Sequence, residues 1–327
     1  MIRVVGASMK AFWEIFYLGI VLCRRRPRVI HLCSSAGPAA LRDIIVLALC
    51  SLTSARTILH FHTSCLPLDQ SRGGMIWSAS KIAVNLADTI IVLDRETEAL
   101  INHQFPGKQV HRLANPLDVD SMKYSQRIDD NNALVAGRKQ EASFKLVFVG
   151  RVVREKGVEL LVRAASRSSR VLINLVGPVL DEYRERLIRI AKARDEGRWL
   201  NFTGEVSRTR VQDEISCADA LALPSLQVYE AFPYAVLEGM AHAKPILATN
   251  VGAIPDMIGV GTGEIAGICV EHGNEQQLET ALKHLRDHPD ERKAMGINGQ
   301  RRVRLLFDSS LISEQLRQIW LSVSGRS

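Results

Sequence analysis

Short apolar runs alternate with longer amphipathic stretches along most of this chain, and this alternation limits its fold more than any other feature. In the first half it predicts strands at Val29–Cys33, Arg56–His62 and Thr89–Leu93 and helices at Ala39–Leu52, Met75–Leu86 and Glu96–His103. In the second half it predicts strands at Lys145–Val149, Val171–Val176, Asp219–Leu223 and Pro245–Thr249 and helices at Val158–Ala165, Asp181–Ala193 and Pro233–His242. Strands separated by helices are typical of βαβ units, so the predicted fold class is α/β with parallel sheets.

A polar segment at residues 121–143 interrupts the alternation, and apolar residues recur there without a period. A chain of 327 residues also exceeds the comfortable size of one hydrophobic core. We therefore predict two Rossmann-like domains facing a cleft, with an N-terminal domain at 1–120, a linker at 121–143 and a C-terminal domain at 144–327. The chain after about Asn274 is expected to be helical. The pattern leaves open that its last helix, Gln315–Val323, packs back on the N-terminal domain.

The basic excess limits the classes of partner that the chain can attract. Its 42 lysines and arginines against 35 acidic residues give a charge of +7, which suits phosphorylated small molecules, anionic lipid or nucleic acid. No run interleaves basic and aromatic residues, so we do not expect a nucleic-acid partner. The apolar run Ala11–Cys23 is too short to span a bilayer and precedes Arg24–Arg28. It predicts a buried or interfacial helix in a cytoplasmic protein, with peripheral contact at the inner face of the membrane as the alternative.

Residues that bind metals or form disulfides do not group along the sequence. The six cysteines lie far apart without a CxxC pair, which indicates a reducing compartment. His60 and His62 on one strand would face the same side as a metal pair, but the sequence shows no third ligand. Asp118 and Asp120 follow an Asn-Pro pair and are interpreted as turn residues. We therefore expect neither a metal nor another cofactor.

Two basic residues follow the first strand of the second half. In FVGRVVREKG, residues 148–157, the strand ends at Gly150, Arg151 follows, and Lys156 lies where the next helix opens. Ligands of open α/β sheets bind outside the carboxyl ends of the strands. Arg and Lys converging there suit the oxygens of a phosphate, because Arg can bind them in a fork and Lys adds a point charge. The pattern favours a phosphate site, with two solvated loop charges as the alternative.

A second group of candidate residues surrounds Pro233 in YEAFPYAVLEGMAHAKP, residues 229–245. Proline is suited to the first turn of a helix, where its missing N–H costs nothing. The backbone N–H groups nearby would then form an anion site: those of Ala231, Phe232 and Tyr234. Glu230, beside that site, favours a ligand with sugar hydroxyls. Glu238 lies about one and a half turns into the helix, and its carboxylate can accept two hydrogen bonds from a ribose.

Three segments of the second half together resemble the donor-binding half of the GT-B family 4 glycosyltransferases. They are FVGRVVREKGVELLVRA (148–164), GEV (204–206) and ADALALPSLQVYEAFPYAVLEGMAHAKPILATNVGAIPDMI (218–258). The resemblance assigns Glu230 and Glu238 to the family's E-x7-E motif. It assigns Arg151 and Lys156 to the donor diphosphate.

The first half resembles the same family more loosely. The similar segments are PRVIHLCSS (27–35), TILHFHTS (57–64), ADTIIVLDRET (87–97) and NPLD (115–118). The family's acceptor-side histidine corresponds to His62, and the resemblance covers roughly residues 27–310. Ala243 stands where the family usually has glycine. The family's first Gly-rich loop has no counterpart in MIRVVGASMK, so the N-terminal domain is expected to be shortened by about one βαβ unit.

The resemblance implies a retaining glycosyltransferase that moves a sugar from a UDP-, GDP- or ADP-linked donor to a saccharide or lipid-linked acceptor, in cell-surface polysaccharide or glycolipid biosynthesis. The two basic residues and the helix N-terminus at Phe232 would stabilise the leaving diphosphate without a metal. Glu230 and His62 are the expected catalytic residues, holding the donor sugar and facing the acceptor, and Glu238 would hold the ribose. Because the Gly-rich loop is absent, activity is expected to be reduced. A non-catalytic nucleotide-sugar-binding remnant or a partner subunit of a transferase is the alternative.

Overall fold

The computed structural model describes residues 17, 20–22, 24–35, 39–64, 74–119, 143–227 and 230–325. Most of the N-terminal apolar run, Asp120 and nearly all of the predicted linker lie outside these ranges. The chain divides into two compact units, Met1–Ala114 with Ser313–Ser327, and Asn115–Ile312. The predicted domain boundaries at residues 120 and 144 stay a prediction, because the segment between them is outside the described ranges.

The first unit contains a four-stranded parallel sheet in the order β1-β2-β3-β4. Its strands are β1 (Val29–Ser34), β2 (Arg56–Phe61), β3 (Thr89–Val92) and β4 (Gln109–Arg112). Its helices are α1 (Ala39–Ser51), α2 (Gly74–Leu86) and α3 (Arg95–Gln104). The three predicted strands and three predicted helices are confirmed, and β4 is an addition. The β1–β2 register places Cys33 directly opposite His60.

The core of the first unit forms where the helices cover the sheet. Leu59 and Phe61 of β2 pack with Leu47 of α1 and Ile101 of α3, all at most 1% exposed. The start of α3 is capped by Asp94, whose side chain accepts a hydrogen bond of 2.7 Å from the Thr97 N–H. An N-cap carboxylate satisfies an otherwise unpaired helix donor, so the sequence LDRET begins the helix at this position.

The second unit contains a six-stranded parallel sheet in the order β10-β9-β8-β5-β6-β7. Its strands are β5 (Phe144–Val149), β6 (Val171–Val176), β7 (Leu200–Gly204), β8 (Ala220–Leu223), β9 (Ile246–Thr249) and β10 (Gly267–Val270). The helices are α4 (Val158–Ser166), α5 (Asp181–Ala191), α6 (Arg208–Ser216), α7 (Tyr234–Ala241), α8 (Ile254–Ile258), α9 (Glu275–Asp287), α10 (Pro289–Leu306) and α11 (Ser309–Val323). None of the helices in the described ranges is both long enough and apolar enough to cross a membrane.

The chain enters and leaves the second unit at one point. The Leu117 N–H donates to the Phe307 carbonyl at 2.9 Å, and the Ser309 N–H donates to the Leu117 carbonyl at 3.0 Å. Leu117 is therefore held in a short parallel bridge with Asp308 at the start of α11. From Ser313 onward the same helix belongs to the first unit.

Candidate functional site

The carboxyl ends of β5 and β8 lie side by side at the point where the strand order of the second unit reverses. From β5 the chain proceeds to β6 and β7 on one side, and from β8 it proceeds to β9 and β10 on the other. Ligands of open α/β sheets bind in the crevice at such a switch point. The segment after β5 carries Gly150, Arg151 and Lys156, and the segment after β8 leads to Glu230. The structure thus brings the two predicted groups to one edge of one sheet.

Glycines allow close backbone approach at this edge. A Cβ on Gly157, which has a φ of 68°, would lie 1.8 Å from the Pro224 carbonyl oxygen. A Cβ on Gly177 would lie 2.0 Å from the Gly150 carbonyl oxygen. Only glycine tolerates both the positive φ and this contact, so the positions of the two loops depend on these residues.

Lys156 and Glu230 form an ion pair at the switch point. The Lys156 Nζ donates to Glu230 Oε2, and the Ser225 hydroxyl donates to the same oxygen at 3.2 Å. The two charged side chains are only 17% and 11% exposed. The sequence predicts Lys156 at a diphosphate and Glu230 at a sugar, whereas in the structure the two side chains bind each other. An entering anion would therefore compete with Glu230 for the ammonium group.

Arg151 has a different environment at the same edge. Its side chain is exposed, immediately after β5, and its guanidinium makes no hydrogen bond or ion pair with another residue of the described ranges. A 3-10 turn, Arg154–Lys156, follows it and ends at Gly157 before α4 begins. Arg151 is thus available to an anionic ligand at the switch point.

The segment before α7 is held by its backbone. Ala231 and Phe232 are 4% and 8% exposed. The Ala231 carbonyl accepts from the Ala253 N–H at 2.7 Å, and the Phe232 carbonyl accepts from the Asn115 side chain at 3.1 Å. A Cβ on Gly252 would lie 1.8 Å from the Glu230 carbonyl oxygen, so that approach also requires glycine.

The predicted position of Pro233 in the first turn of the helix is wrong. Pro233 is the N-cap residue, with an extended backbone (φ −73°, ψ 125°), and α7 begins at Tyr234. The Val236 N–H donates to the Pro233 carbonyl at 3.1 Å. The first helical N–H therefore belongs to Tyr234, one of the three donors that the sequence suggested for an anion.

Glu238 lies half-buried on α7 and is poorly solvated. Burial raises the pKa of its carboxyl group above its usual value, and the charge of Arg208 opposes this rise. The carboxylate makes no hydrogen bond with any other residue in the described part of the chain. A desolvated carboxylate without donors is suited to accept hydrogen bonds from ligand hydroxyls.

His62 lies in the first unit and so does not belong to the group in the second unit. It follows β2 directly, and its backbone N–H donates to the Ser34 carbonyl at 2.8 Å. Its exposed ring lies with its centroid 4.2 Å from that of His60. His60 itself is 6% exposed, and burial, followed by the charges of His62 and His31, lowers its pKa to about 3.

A cluster of imidazole and thiol groups surrounds His60. His31, Cys33 and His60 each offer a ligand atom, and these atoms all lie within 4.8 Å of one another. The expectation that His60 has no further ligands nearby is therefore wrong. The additional groups come from the neighbouring strand β1, and the signal that could have found them is the β1–β2 register rather than spacing along one strand.

Comparison with known proteins agrees with the fold, and a family model matches most of the second half of the chain. A model of the family described as glycosyl transferases group 1 matches residues 129–302. Alpha-maltose-1-phosphate synthase of Mycolicibacterium smegmatis is 27% identical over 263 residues, covering 75% of this chain and 66% of that protein. Alpha-D-kanosaminyltransferase of Streptomyces kanamyceticus is 28% identical over 257 residues, covering 75% and 63%. The chain thus spans slightly less than two thirds of the length of either relative.

Solved structures show the same fold at low sequence identity. Sucrose-phosphate synthase from Thermosynechococcus elongatus has a TM-score of 0.78 at 20% identity, covering 96% of this chain and 78% of its own. Anabaena HepE in complex with UDP has a TM-score of 0.77 at 17% identity, covering 94% and 82%. The predicted α/β fold of the GT-B class, with its parallel Rossmann-like sheets, is confirmed.

Proposed function

Because the chain belongs to the glycosyl transferases group 1 family, we propose that it is a retaining glycosyltransferase using a nucleotide-diphosphate-sugar donor. The observation that carries this proposal is the switch point of the second unit. It combines an available Arg151, an ion pair that an anion can open, and a desolvated Glu238. Anabaena HepE was solved with UDP and with UDP-glucose, which supports a UDP-linked sugar as the first donor to test, before GDP- and ADP-linked sugars.

The leaving diphosphate is the part of the donor that the second unit is suited to stabilise. In the transfer step the bond between the anomeric carbon and the diphosphate oxygen breaks, and the electron pair goes to the diphosphate. Negative charge therefore grows on that group in the transition state, where fixed cations and N–H donors act most strongly. Arg151, Lys156 and the Tyr234 N–H supply them. Gly150, at the end of β5, keeps the backbone clear of the phosphates.

Lys156 and Glu230 exchange partners when the donor binds. Lys156 turns from Glu230 to a diphosphate oxygen, and Glu230 then accepts hydrogen bonds from the hydroxyls of the donor sugar. Ala231, Phe232 and the N-cap Pro233 hold the backbone around this sugar. The exchange means that neither charge is left buried without a partner, which would be costly at 17% and 11% exposure.

The remaining roles concern the nucleoside and the acceptor. Glu238 accepts hydrogen bonds from the ribose hydroxyls, and His62 faces the acceptor at the reacting centre. The acceptor is a saccharide or a lipid-linked saccharide of cell-surface polysaccharide or glycolipid synthesis. Arg24–Arg28 would bring a cytoplasmic protein to anionic lipid at the membrane surface where such acceptors lie.

Thermal stabilisation by nucleotides tests the donor site directly. A ligand that binds only the folded state raises its stability by mass action. We expect UDP, GDP or ADP, or a sugar-linked form of one of them, to raise the melting temperature of the wild type, and we expect Glu238→Ala to abolish this rise. Glu185→Ala is the matched control, because the Glu185 side chain is 73% exposed in the same unit.

Product analysis tests the transfer itself. With the nucleotide-sugar identified by stabilisation and a panel of saccharide acceptors, NMR should show a product with the anomeric configuration of the donor. Inversion would contradict the retaining mechanism. Binding without transfer would favour the non-catalytic alternative, and no binding to any nucleotide would overturn the donor site.

A further inference from the structure

Two adjacent strands of the first unit place three metal-binding side chains on one face of the sheet. His31 and Cys33 are two residues apart on β1, so both side chains point to the same face. Cys33 is paired with His60 of β2, which places His60 on that face as well. The three ligand atoms lie within 4.8 Å of one another. Three such groups converge from positions that are fixed by strand pairing.

The hydrogen bonds of this cluster leave one buried donor without a partner. The Trp320 Nε1–H can only donate, and it lies 3.2 Å from His31 Nδ1. A neutral His31 therefore carries its proton on Nε2 and donates it to His60 Nδ1, also at 3.2 Å. His60 then carries its proton on Nε2. This atom is buried and makes no hydrogen bond within the described ranges.

We propose that His31, Cys33 and His60 form a site for a divalent transition-metal ion of the zinc class. Two imidazoles and a thiolate are ligands that Zn²⁺ prefers, and three protein ligands leave a fourth position for water or another group. Tetrahedral coordination at zinc bond lengths requires ligand atoms roughly 3.3–3.8 Å apart. His31 Nε2 and His60 Nδ1 are already 3.2 Å apart. The sulfur of the exposed Cys33 lies within 4.8 Å of both nitrogens, so a side-chain rotation that moves it by about 1 Å brings both remaining distances into this range.

Metal binding changes the protons of the cluster in a defined way. The thiol of Cys33 loses its proton to solvent as the metal–sulfur bond forms. The metal takes the lone pair of His31 Nε2, so the imidazole proton moves to Nδ1 through solvent, and Trp320 loses its acceptor. His60 binds through Nδ1 and keeps its proton on Nε2. One proton is released for each metal ion, and Trp320 competes with the metal for the tautomer of His31.

The site lies beside the residue proposed to face the acceptor. The ring of His62 packs against that of His60, with centroids 4.2 Å apart and an angle of 33° between the ring planes. A metal on His60 would hold the ring against which His62 packs. This inference goes beyond the donor chemistry proposed above, because the leaving diphosphate is stabilised by residues of the second unit.

Cobalt is the probe for this site, because a cysteine ligand gives Co²⁺ a thiolate charge-transfer band. Protein treated with EDTA and dialysed is titrated with Co²⁺, and Zn²⁺ is then added. We expect one Co²⁺ per chain, the intense visible bands of tetrahedral cobalt, a charge-transfer band, and loss of all bands with Zn²⁺. His31→Gln should weaken Co²⁺ binding by roughly tenfold or more.

Two further variants keep the result decisive. Cys33→Ser should abolish the charge-transfer band, whereas Cys217→Ser, at another exposed cysteine, should leave it unchanged. Trp320→Phe removes the competing N–H donor and should tighten Co²⁺ binding, an effect that a merely structural role of the indole would not give. A wild type that binds no cobalt at large molar excess, or a band that persists in Cys33→Ser, would overturn the site. Nucleotide stabilisation is measured separately, so the two proposals fail independently.

Discussion

The two units place their polar side chains differently relative to their parallel strands. In the second unit the polar residues lie on loops after the strands, and Lys156 and Glu230 are joined across a switch point. In the first unit the described strands follow one another in order, and the imidazole and thiol groups of His31, Cys33 and His60 lie within the strands themselves. Loop residues can change partners when a ligand binds, whereas strand residues keep the spacing that the register imposes. The loop residues of the second unit therefore suit a ligand that binds and leaves, and the strand residues of the first unit suit a permanently bound group.

The largest expected effect concerns the glycines that hold the loops of the second unit. Gly157→Ala should lower the free energy of unfolding by at least ~3 kcal/mol, because its Cβ would lie 1.8 Å from the Pro224 oxygen at a φ of 68°. Gly107→Ala, in the first unit, has a φ of 94° with no atom within 4 Å of the added Cβ. It should cost about 1–2 kcal/mol for strain alone. If urea denaturation shows equal losses of unfolding free energy in the two variants, the close approach of Pro224 to Gly157 adds nothing to the cost.

The next effect tests whether the ion pair of the second unit opens for an anion. Lys156→Ala should weaken the binding of nucleoside diphosphate by roughly 1.5–3 kcal/mol, the value of a charged hydrogen bond. Titration calorimetry measures this, with the exposed Lys192→Ala as the control. Unchanged affinity in Lys156→Ala would refute the assignment.

A double variant separates binding from stability at the same pair. Lys156→Ala leaves Glu230 only 11% exposed and without its ammonium partner, so the single variant should also be less stable. Adding Glu230→Gln removes the buried charge and should restore the melting temperature. Nucleotide affinity should stay low, and a recovery of affinity as well would mean that Lys156 acts only by neutralising Glu230.

The Glu238 carboxylate should lower the stability of the folded state at neutral pH, and the size of this effect should depend on pH. Its pKa is raised by burial, so the folded state favours the protonated form. The stability that this preference contributes is present below the unfolded value of 4.5 and is lost as the pH rises through the higher folded value. Glu238→Gln should therefore be more stable than the wild type at pH 7 but not at pH 4. A variant of equal stability at both pH values would contradict this.

The nucleotide affinity of the same variant should move in the opposite direction. Glu238→Gln replaces a carboxylate by an amide, so hydrogen bonds from the ribose should weaken by about 1 kcal/mol. Calorimetry at pH 7 compares it with Glu185→Gln, at an exposed position of the same unit. Unchanged affinity would contradict the assignment of Glu238 to the ribose, while the predicted effect of Glu238 on the pH dependence of stability would still stand.

A smaller effect is expected where α7 ends. Ala243 has a φ of 54°, a conformation that costs an L-residue about 1–2 kcal/mol. Ala243→Gly should therefore raise the free energy of unfolding by ~0.5–1 kcal/mol after the loss of chain entropy. Ala193 does not have a positive φ, so Ala193→Gly should lower the free energy of unfolding instead. If both substitutions destabilise the protein, the positive φ at Ala243 does not cost the folded state the free energy stated here.

Removal of metal ions is expected to have no effect on nucleotide binding, and this result would distinguish the second unit from the first. EDTA should leave nucleotide binding by the second unit unchanged, because the proposal assigns the diphosphate to Arg151 and Lys156 and not to a metal. The same treatment should remove any metal from the His31, Cys33 and His60 cluster of the first unit. Loss of nucleotide affinity on chelation, restored by Mn²⁺ or Mg²⁺, would contradict this separation and return attention to Asp118 and Asp120.

Much of the fold could be predicted because the buried strands are short runs made mainly of apolar residues. Val171–Val176 and Thr89–Val92 have this character, and the structure has strands at both. The strand Gln109–Arg112 was missed because QVHR contains a single aliphatic residue and lies at the edge of its sheet. Gly267–Val270 was missed because it is short and follows a stretch rich in glycine. Such strands form through pairing with a neighbour, which a local pattern does not contain.

The candidate site shows the same limit. Lys156 and Glu230 were each identified from their local motifs, but their pairing joins residues 74 positions apart. It depends on β5 and β8 being neighbours, which is a property of the strand order. His31 and Cys33 were not identified at all, because their chemistry arises only when β1 is aligned with β2. Local motifs predicted the residues, and topology supplied the partners.

The bridge between Leu117 and Asp308 makes the second unit an insertion with adjoining ends. A segment whose two ends touch can be removed or replaced without stretching the chain that carries it. In the gene, one crossover near codon 117 and another near codon 309 would exchange nearly the whole second unit at once. If the second unit binds the donor and the first the acceptor, as proposed, recombination would alter donor specificity while leaving acceptor specificity unchanged.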